Sequence, residues 1–191
     1  MLKAAGARLV MVAIPTLVAL GGCVSQQKYE SQVQKTDALQ QKYDQLNEQM
    51  SGEVAAKEMH IERLQNALRV TVNDQLLFPS GNWRMPPDAQ QSIAKIARIL
   101  APMQQTRIIV KGYTDNVPIG ASLMRQGVTS NLILSQKRAE NVAQFMMSQG
   151  VNPALVSTQG FGDSDPIAGN DTADGRAQNR RVEIVLAGSG E

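Results

Sequence analysis

Three hydrophobic rhythms follow one another along the chain. From residue 24 to residue 70, apolar positions recur every three or four residues: Leu39, Tyr43, Leu46 and Met50, then Val54, Ile61, Leu64 and Leu68. This stretch has no proline, one glycine (Gly52), and much Gln, Glu, Lys and Ala, all residues compatible with helix. The pattern predicts an amphipathic helix over 23–68, a coiled coil if the stripe finds a partner and a marginal or disordered tether if it does not. The four-residue step from Met50 to Val54 breaks the alternation of threes and fours, as a stutter does, and Ser51-Gly52 marks a bend there. A continuous helix of this extent would measure roughly 65–70 Å.

The second rhythm begins near residue 69, where β-branched residues alternate and strands take turns with helices. Arg69–Phe78 reads as a strand or hairpin edge, followed by the turn Pro79-Ser80-Gly81. Pro86-Pro87-Asp88 opens a helix with Ile93, Ile96, Ala97 and Leu100 on its apolar face. Thr106–Tyr113 reads as a central strand and Thr114–Ser130 as a long loop. A second helix runs from Leu134-Ser135 to Gln149, with Ser135 as the expected cap and Gly150 as the stop. Val156–Phe161 is a short strand, Ala173–Asn179 a helical turn, and Arg181–Leu186 a final alternating strand. The order β-α-β-α-β-(α)-β predicts an α+β domain with helices packed on a small mixed sheet, preceded by the helical stalk.

The third pattern is at the N-terminus. Leu9–Leu20 is an uninterrupted run of 12 residues without charge, behind Lys3 and Arg8, and it ends in Leu20-Gly21-Gly22-Cys23. It is shorter than the roughly 20 apolar residues of a membrane span. A basic start, a short apolar core and small residues before a cut site define a secretory signal peptide. Cys23, the only cysteine in the chain, directly follows that site, and the segment resembles a bacterial lipobox. The resemblance implies cleavage after residue 22 and acylation of Cys23, palmitate included. The product is held on a membrane and faces the periplasm, because two or three acyl chains anchor stably where one does not. By resemblance to the lipoprotein sorting rule, Val24 rather than aspartate after the cysteine favours the outer membrane. Domain boundaries follow: 1–22 signal peptide, 23–68 lipidated stalk, 69–187 folded domain, 188–191 tail.

Charge changes the picture once the leader is set apart. The whole chain carries a formal +2, but Lys3 and Arg8 leave with the leader. The remaining 169 residues hold 17 basic and 17 acidic side chains. Such a balance does not predict a nucleic-acid partner, which calls for a basic patch or stripe. One cysteine gives neither a disulfide framework nor a thiolate metal site. His60, the only histidine, reads as a solvated residue of the stalk. Asp163, Asp165, Asp171 and Asp174 lack the spacing of an EF-hand loop and read as turn and cap residues. No cofactor or metal is expected.

Two charged residues stand at positions where ligand groups converge in mixed α/β folds, a strand end and a helix start. Asp115 follows the strand ending Gly112-Tyr113-Thr114, and Arg138 lies one turn into the helix after the long loop. Read alone, the two are either a ligand-binding pair or an internal ion pair. Four blocks then occur in order: Gly112-Tyr113-Thr114-Asp115-Asn116; Asn131-x-x-Leu134-Ser135-x-x-Arg138-Ala139-x-x-Val142; Gly160-x-Gly162-x-x-x-Pro166; and Gly175-Arg176-x-x-Asn179-Arg180-Arg181-Val182-Glu183-Ile184. Over about residues 70–187 they resemble the OmpA-like peptidoglycan-binding domain, a family that includes the C-terminal domains of flagellar stator proteins and of the peptidoglycan-associated lipoprotein.

The resemblance implies non-covalent binding of the meso-diaminopimelate of the peptidoglycan stem peptide. That residue ends in a zwitterion, an ammonium and a carboxylate on one carbon. Asp115 would accept from the ammonium, and Arg138 would grip the carboxylate with two parallel N–H donors, which lysine does not offer. By the same resemblance Asn131 and Arg180 line the pocket, and Thr114 and Leu134 shape its backbone. Arg176 and Arg181 read as structural. Two departures stand out. Many members carry an aspartate directly after the first-strand phenylalanine, whereas Phe78 is followed by Pro79, which implies one polar group fewer on that side of the pocket. The stretch from Asp115 to Arg138 is also long, closer to the stator-protein version.

Three functions follow as alternatives. One is an outer-membrane lipoprotein that tethers the membrane to the wall. Another is a wall-anchored component or regulator of an envelope machine, with a protein partner or a second copy engaged through the stalk or long loop. An uncleaved stator subunit is disfavoured, because Leu9–Leu20 carries no intramembrane acid. The third, a wall hydrolase, lacks a nucleophile–base pair, paired catalytic carboxylates and a metal cluster in the sequence, so no enzyme is expected.

Overall fold

The computed structural model describes residues 26–187, apart from 57 and 104. The expected signal segment, Cys23 and the tail lie outside the described residues. Helix α1 (Gln26–Gln49) and the short α2 (Ser51–Ala55) lead into a hairpin of β1 (Met59–Arg63) and β2 (Ala67–Asn73). A single turn, α3 (Asp74–Leu77), and the longer α4 (Pro87–Leu100) precede β3 (Arg107–Gly112). Then come α5 (Ala121–Arg125), α6 (Asn131–Ser148), β4 (Val156–Gly160), α7 (Ala173–Asn179) and β5 (Arg181–Ala187). The five strands form one mixed sheet in the order β1-β2-β5-β3-β4. Only β3 and β4 are parallel.

The α+β class and the helix-on-sheet arrangement are as expected, but the stalk is not. The predicted helix ends by residue 56, and Met59–Arg63 is an edge strand. The reason is a coincidence of periods. Ile61, Leu64 and Leu68 continue a helical stripe, yet Met59 and Ile61 also alternate, as do Leu68, Val70 and Val72. These five residues are the buried ones of the hairpin. The backbone turns at Leu64, whose N–H donates to the Ala67 carbonyl (2.8 Å). His60 is exposed, as expected, but on a strand and not a helix. Helix α1 is itself divided: residues 28–38 are exposed, while Leu39 and Leu46, with Met50 just past its end, are buried in the main core with Ile93, Ile96 and Leu100. The bend at Ser51-Gly52 falls where α1 gives way to α2.

Other boundaries shift for local reasons. Asn73 accepts from the Gln75 N–H and starts α3, so Asp74–Leu77 is helical where a strand was expected. Ser130, not Ser135, caps α6 by accepting from the Ile133 N–H (3.2 Å). Ser135 is buried inside the helix, with its hydroxyl accepting from the Gly162 N–H at 2.8 Å. The long loop carries α5 and a small core of its own, in which Ile119, Leu123 and Val128 pack on Leu134, with Trp83 at the margin.

Helices α1, α4 and α6 cover one face of the sheet. On the other face Arg69 faces both Glu62 (3.4 Å) and Glu183 (3.7 Å), and Arg181 pairs with Glu183 at 2.8 Å. Arg181 also lies 3.7 Å over the Tyr113 ring, which stacks on Phe161 with centroids 4.8 Å apart. Arg176 donates to the Asn170 carbonyl (2.8 Å). Both Arg176 and Arg181 therefore have the structural surroundings expected of them.

Gly112 and Gly160 are register partners across β3 and β4. A Cβ at Gly112 would overlap the Ser135 carbonyl, and one at Gly160 would overlap the Gln136 backbone. Helix α6 can lie this close to the strands only because both side chains are missing. Gly112→Ala should therefore lower unfolding free energy by at least the roughly 1–3 kcal/mol of an overpacked core. Urea denaturation followed by circular dichroism checks this, and an unchanged midpoint would mean that the helix yields freely.

Candidate functional site

Strand β5 begins where β2 and β3 end: Arg181 pairs with Asn73, and Val182 with Gly112. Three chain segments therefore meet at one end of the three central strands, in the corner between the sheet and the start of α6. The Asp74 N–H donates to the Arg180 carbonyl (3.0 Å), and the Tyr113 N–H donates to the Arg181 carbonyl (2.9 Å). Backbone pairing alone thus brings together Asp74 after β2, Thr114 and Asp115 after β3, and Arg180 before β5.

Asp115 is well engaged. Arg180 Nη1 donates to its Oδ2 at 2.6 Å, and the Val117 N–H donates to its Oδ1 at 3.1 Å. Asn131 secures the same turn from the first residue of α6: its Nδ2 donates to the carbonyls of Asp115 (3.2 Å) and Val117 (3.1 Å). Thr114 donates its N–H to the Gly162 carbonyl (2.7 Å), while its hydroxyl oxygen is buried without a protein hydrogen-bond partner. Leu134 lies in the small loop core. All six expected pocket residues therefore occur in this corner or in the elements that frame it.

The pairing of the charges differs from the internal-bridge alternative. Asp115 pairs with Arg180, not Arg138. Arg138 Nη1 lies 3.1 Å from Asp74 Oδ1, its Nε donates to the Asn82 carbonyl (3.0 Å), and its guanidinium lies 5.1 Å from the Phe78 ring centroid. Sequence reasoning missed Asp74. Pro79 after Phe78 led to the expectation of one polar group fewer at the pocket, but an acid arrives from upstream of Phe78 through the turn of α3. The capping pattern Asn73-Asp74 was the available signal, hidden by reading 69–78 as one strand.

The Asp74–Arg138 pair is deeply buried, with side chains 7% and 5% exposed. At 3.1 Å it is an ion pair without hydrogen-bond alignment, and Asp74 Oδ1 receives no properly directed N–H. Burial pushes the Asp74 carboxyl up to about 6, against the downward pull of Arg138 and Arg180 and with a smaller upward push from Asp115. Burial likewise lowers the Arg138 guanidinium, and Asp74 opposes that shift. Both partners are thus driven toward neutrality, as expected where desolvation outweighs attraction.

A carboxyl whose folded value lies above its unfolded one favours the fold when protonated. This contribution is fully present below about 3.8 and is lost as pH rises through about 6. Relative to Asp74→Asn, the wild-type protein should lose thermal stability between pH 4 and pH 7. Melting curves of both proteins across that range measure the difference, and parallel profiles would contradict it.

The OmpA family model matches residues 77–180. A protein of Escherichia coli (strain K12) named "Probable lipoprotein YiaD" is 38% identical over 114 residues, covering 60% of this chain and 48% of that protein. "Peptidoglycan-binding protein ArfA" of Mycobacterium tuberculosis (strain ATCC 25618 / H37Rv) is 33% identical over 123 residues, covering 64% of this chain and 35% of that protein. The chain thus spans about half or less of the length of these two curated relatives. Among solved structures, the cell wall anchor of the T6SS from Pseudomonas aeruginosa superposes with a TM-score of 0.68 at 29% identity, covering 75% of this chain and 97% of that one. Several relatives are named as lipoproteins or outer-membrane proteins. Among the described residues no helix is long and apolar enough to cross a membrane. The family is structural and non-enzymatic. By the extent of the family match and the shared fold, the chain belongs to the OmpA family.

Proposed function

We propose that the chain binds peptidoglycan non-covalently through the zwitterionic end of meso-diaminopimelate, and that it tethers an outer membrane to the wall as a lipoprotein anchored at Cys23. The observation that carries this reading is the convergence of two acids and two arginines in one corner, with Asp115, Arg138 and Arg180 on positions the family resemblance points to. Asp115 receives the ammonium in the place that Arg180 Nη1 occupies. Arg180, whose side chain is 25% exposed, is the most accessible of the four charges and the one that must move aside. Arg138 takes the carboxylate. Asn131 holds the turn that presents Asp115, Thr114 ties it to Gly162, and Leu134 seats the long loop against α6. Relatives named as peptidoglycan-binding or as a cell wall anchor support the ligand class. The leader resemblance supports the anchor, the outer-membrane location and the periplasmic orientation.

A second reading draws on the likeness to a secretion-system anchor and on exposed apolar side chains of the long loop, Val117 and Met124, each 50% exposed. In it the same wall contact holds an envelope machine, engaged through the loop or the exposed half of α1. Release of a partner on Met124→Ser or on trimming residues 24–38, with wall binding intact, would favour it.

The primary reading is tested by sedimentation of residues 24–191 with purified sacculi. Wild type should co-sediment. Asp115→Ala and Arg138→Lys, each confirmed folded by circular dichroism, should bind at least tenfold more weakly, in keeping with about 1.5–3 kcal/mol for a charge-assisted hydrogen bond. Equal binding by folded variants would remove the pocket from the function. Metabolic labelling with palmitate should mark wild type and not Cys23→Ser.

A further inference from the structure

Asp74 has no role in the reading above, yet it touches both arginines of the cluster. Its N–H donates to the Arg180 carbonyl, and its carboxylate faces Arg138 Nη1. Arg138 Nε is committed to the Asn82 carbonyl, and the Phe78 ring lies against the guanidinium. A guanidinium carries five N–H donors in one plane. With Nε held and Nη1 turned to Asp74, the Nη2 edge is the one left for a ligand. A buried ion pair of this kind contributes little net stability, because both charges give up water. Together with the Asn82 carbonyl on Nε and the Phe78 ring, its charge keeps the Nη1 side of the plane turned toward Asp74.

We propose that Asp74 is a positioning residue for the ligand carboxylate, holding the Arg138 guanidinium in place, and that it is where ligand binding takes up a proton. The inference rests on Arg138 being the carboxylate grip of the proposed function. The charged groups facing Asp74 are Arg138 from α6, Arg180 from the segment between α7 and β5, and Asp115 from the turn after β3. A ligand carboxylate arriving on Arg138 sets a second anion beside Asp74 and draws on the same cation. Both changes raise the proton affinity of Asp74, which burial has already raised to about 6. A protonated carboxyl still offers a carbonyl oxygen to Nη1, so the orientation of Arg138 survives proton uptake.

The test is fluorescence polarisation of a labelled L-Ala-γ-D-Glu-meso-diaminopimelate tripeptide with the full chain in detergent, from pH 8 to pH 5.5. Wild-type affinity should rise as pH falls, with a slope approaching one bound proton. Asp74→Asn keeps the acceptor without the charge. It should bind and show a flatter profile, and the comparison separates Asp74 from every other titrating group. Calorimetry at pH 7 in phosphate and in Tris should show proton uptake by wild type and none by Asp74→Asn. Asp74→Ala should bind about tenfold or more weakly at every pH. Should Asp74→Ala fail to fold, the Asp74→Asn profile and calorimetry decide alone. Wild-type affinity in a folded Asp74→Ala, or an Asp74→Asn profile that follows wild type, overturns the inference and leaves the proposed function standing. No binding by wild type overturns both.

Discussion

The site depends on how closely helix α6 lies on the paired ends of β3 and β4. Gly112 and Gly160 sit side by side in the sheet, and the absence of both side chains lets the Ser135 and Gln136 backbone rest on the strands. Once the helix is there, its polar side chains bond to the strand and the loop beyond it. Gln136 accepts from the Gly160 N–H (2.6 Å) and donates to the Thr158 hydroxyl (3.0 Å), while the Ser135 hydroxyl takes the Gly162 N–H. One turn before this contact is Asn131, which fixes the Asp115 turn. One turn after it is Arg138, which reaches Asp74 and Asn82. A helix held farther out would leave these groups on separate elements with nothing to align them.

The charges at this corner are arranged at the expense of stability, and the pairing explains how that is tolerated. Each arginine has its own acid: the partly exposed Arg180 has Asp115, and the buried Arg138 has the buried Asp74. The outer pair has good geometry and access to water. The inner pair has neither, and burial pushes both of its members toward their uncharged forms. Removing one member of such a pair strands the other charge, which is far more damaging than the pair is helpful.

Much of this was legible in the sequence, and what was hidden was hidden for definable reasons. The four blocks around Gly112, Asn131, Gly160 and Gly175 located the family and the corner, because they combine close-approach glycines with polar residues at fixed offsets. The strands at β3, β4 and β5 and the helices at α4, α6 and α7 followed from periodicity. Strand β2 was legible from Arg69 onward, but β1 and the start of β2 were not, because Ile61, Leu64 and Leu68 continue a helical period while Ile61 and Leu68 also fit an alternating one, and only strand pairing decides between them. Asp74 was missed because a one-turn helix has too little sequence to show a period. The pairing of Arg138 with Asp74 in place of Asp115 is a matter of side-chain reach, which spacing along the chain does not encode.

Docking of the second half of α1 has a mechanical consequence. The helix is not a free spacer of its whole length; the exposed part, residues 28–38, amounts to roughly 16 Å. From Leu39 onward it belongs to the head, packed on α4 and the β1–β2 end of the sheet. A pull applied at its N-terminal end therefore enters the domain through buried Leu39, Leu46 and Met50. It reaches the charge cluster by two routes, through β2, which runs directly into Asp74, and through α4, which packs on α6 and so on the element that carries Arg138. Load is shared between the backbone ladders of β1, β2 and β5 and the apolar contacts of α4 with α6, so the head resists tension as one body and not as a chain of links.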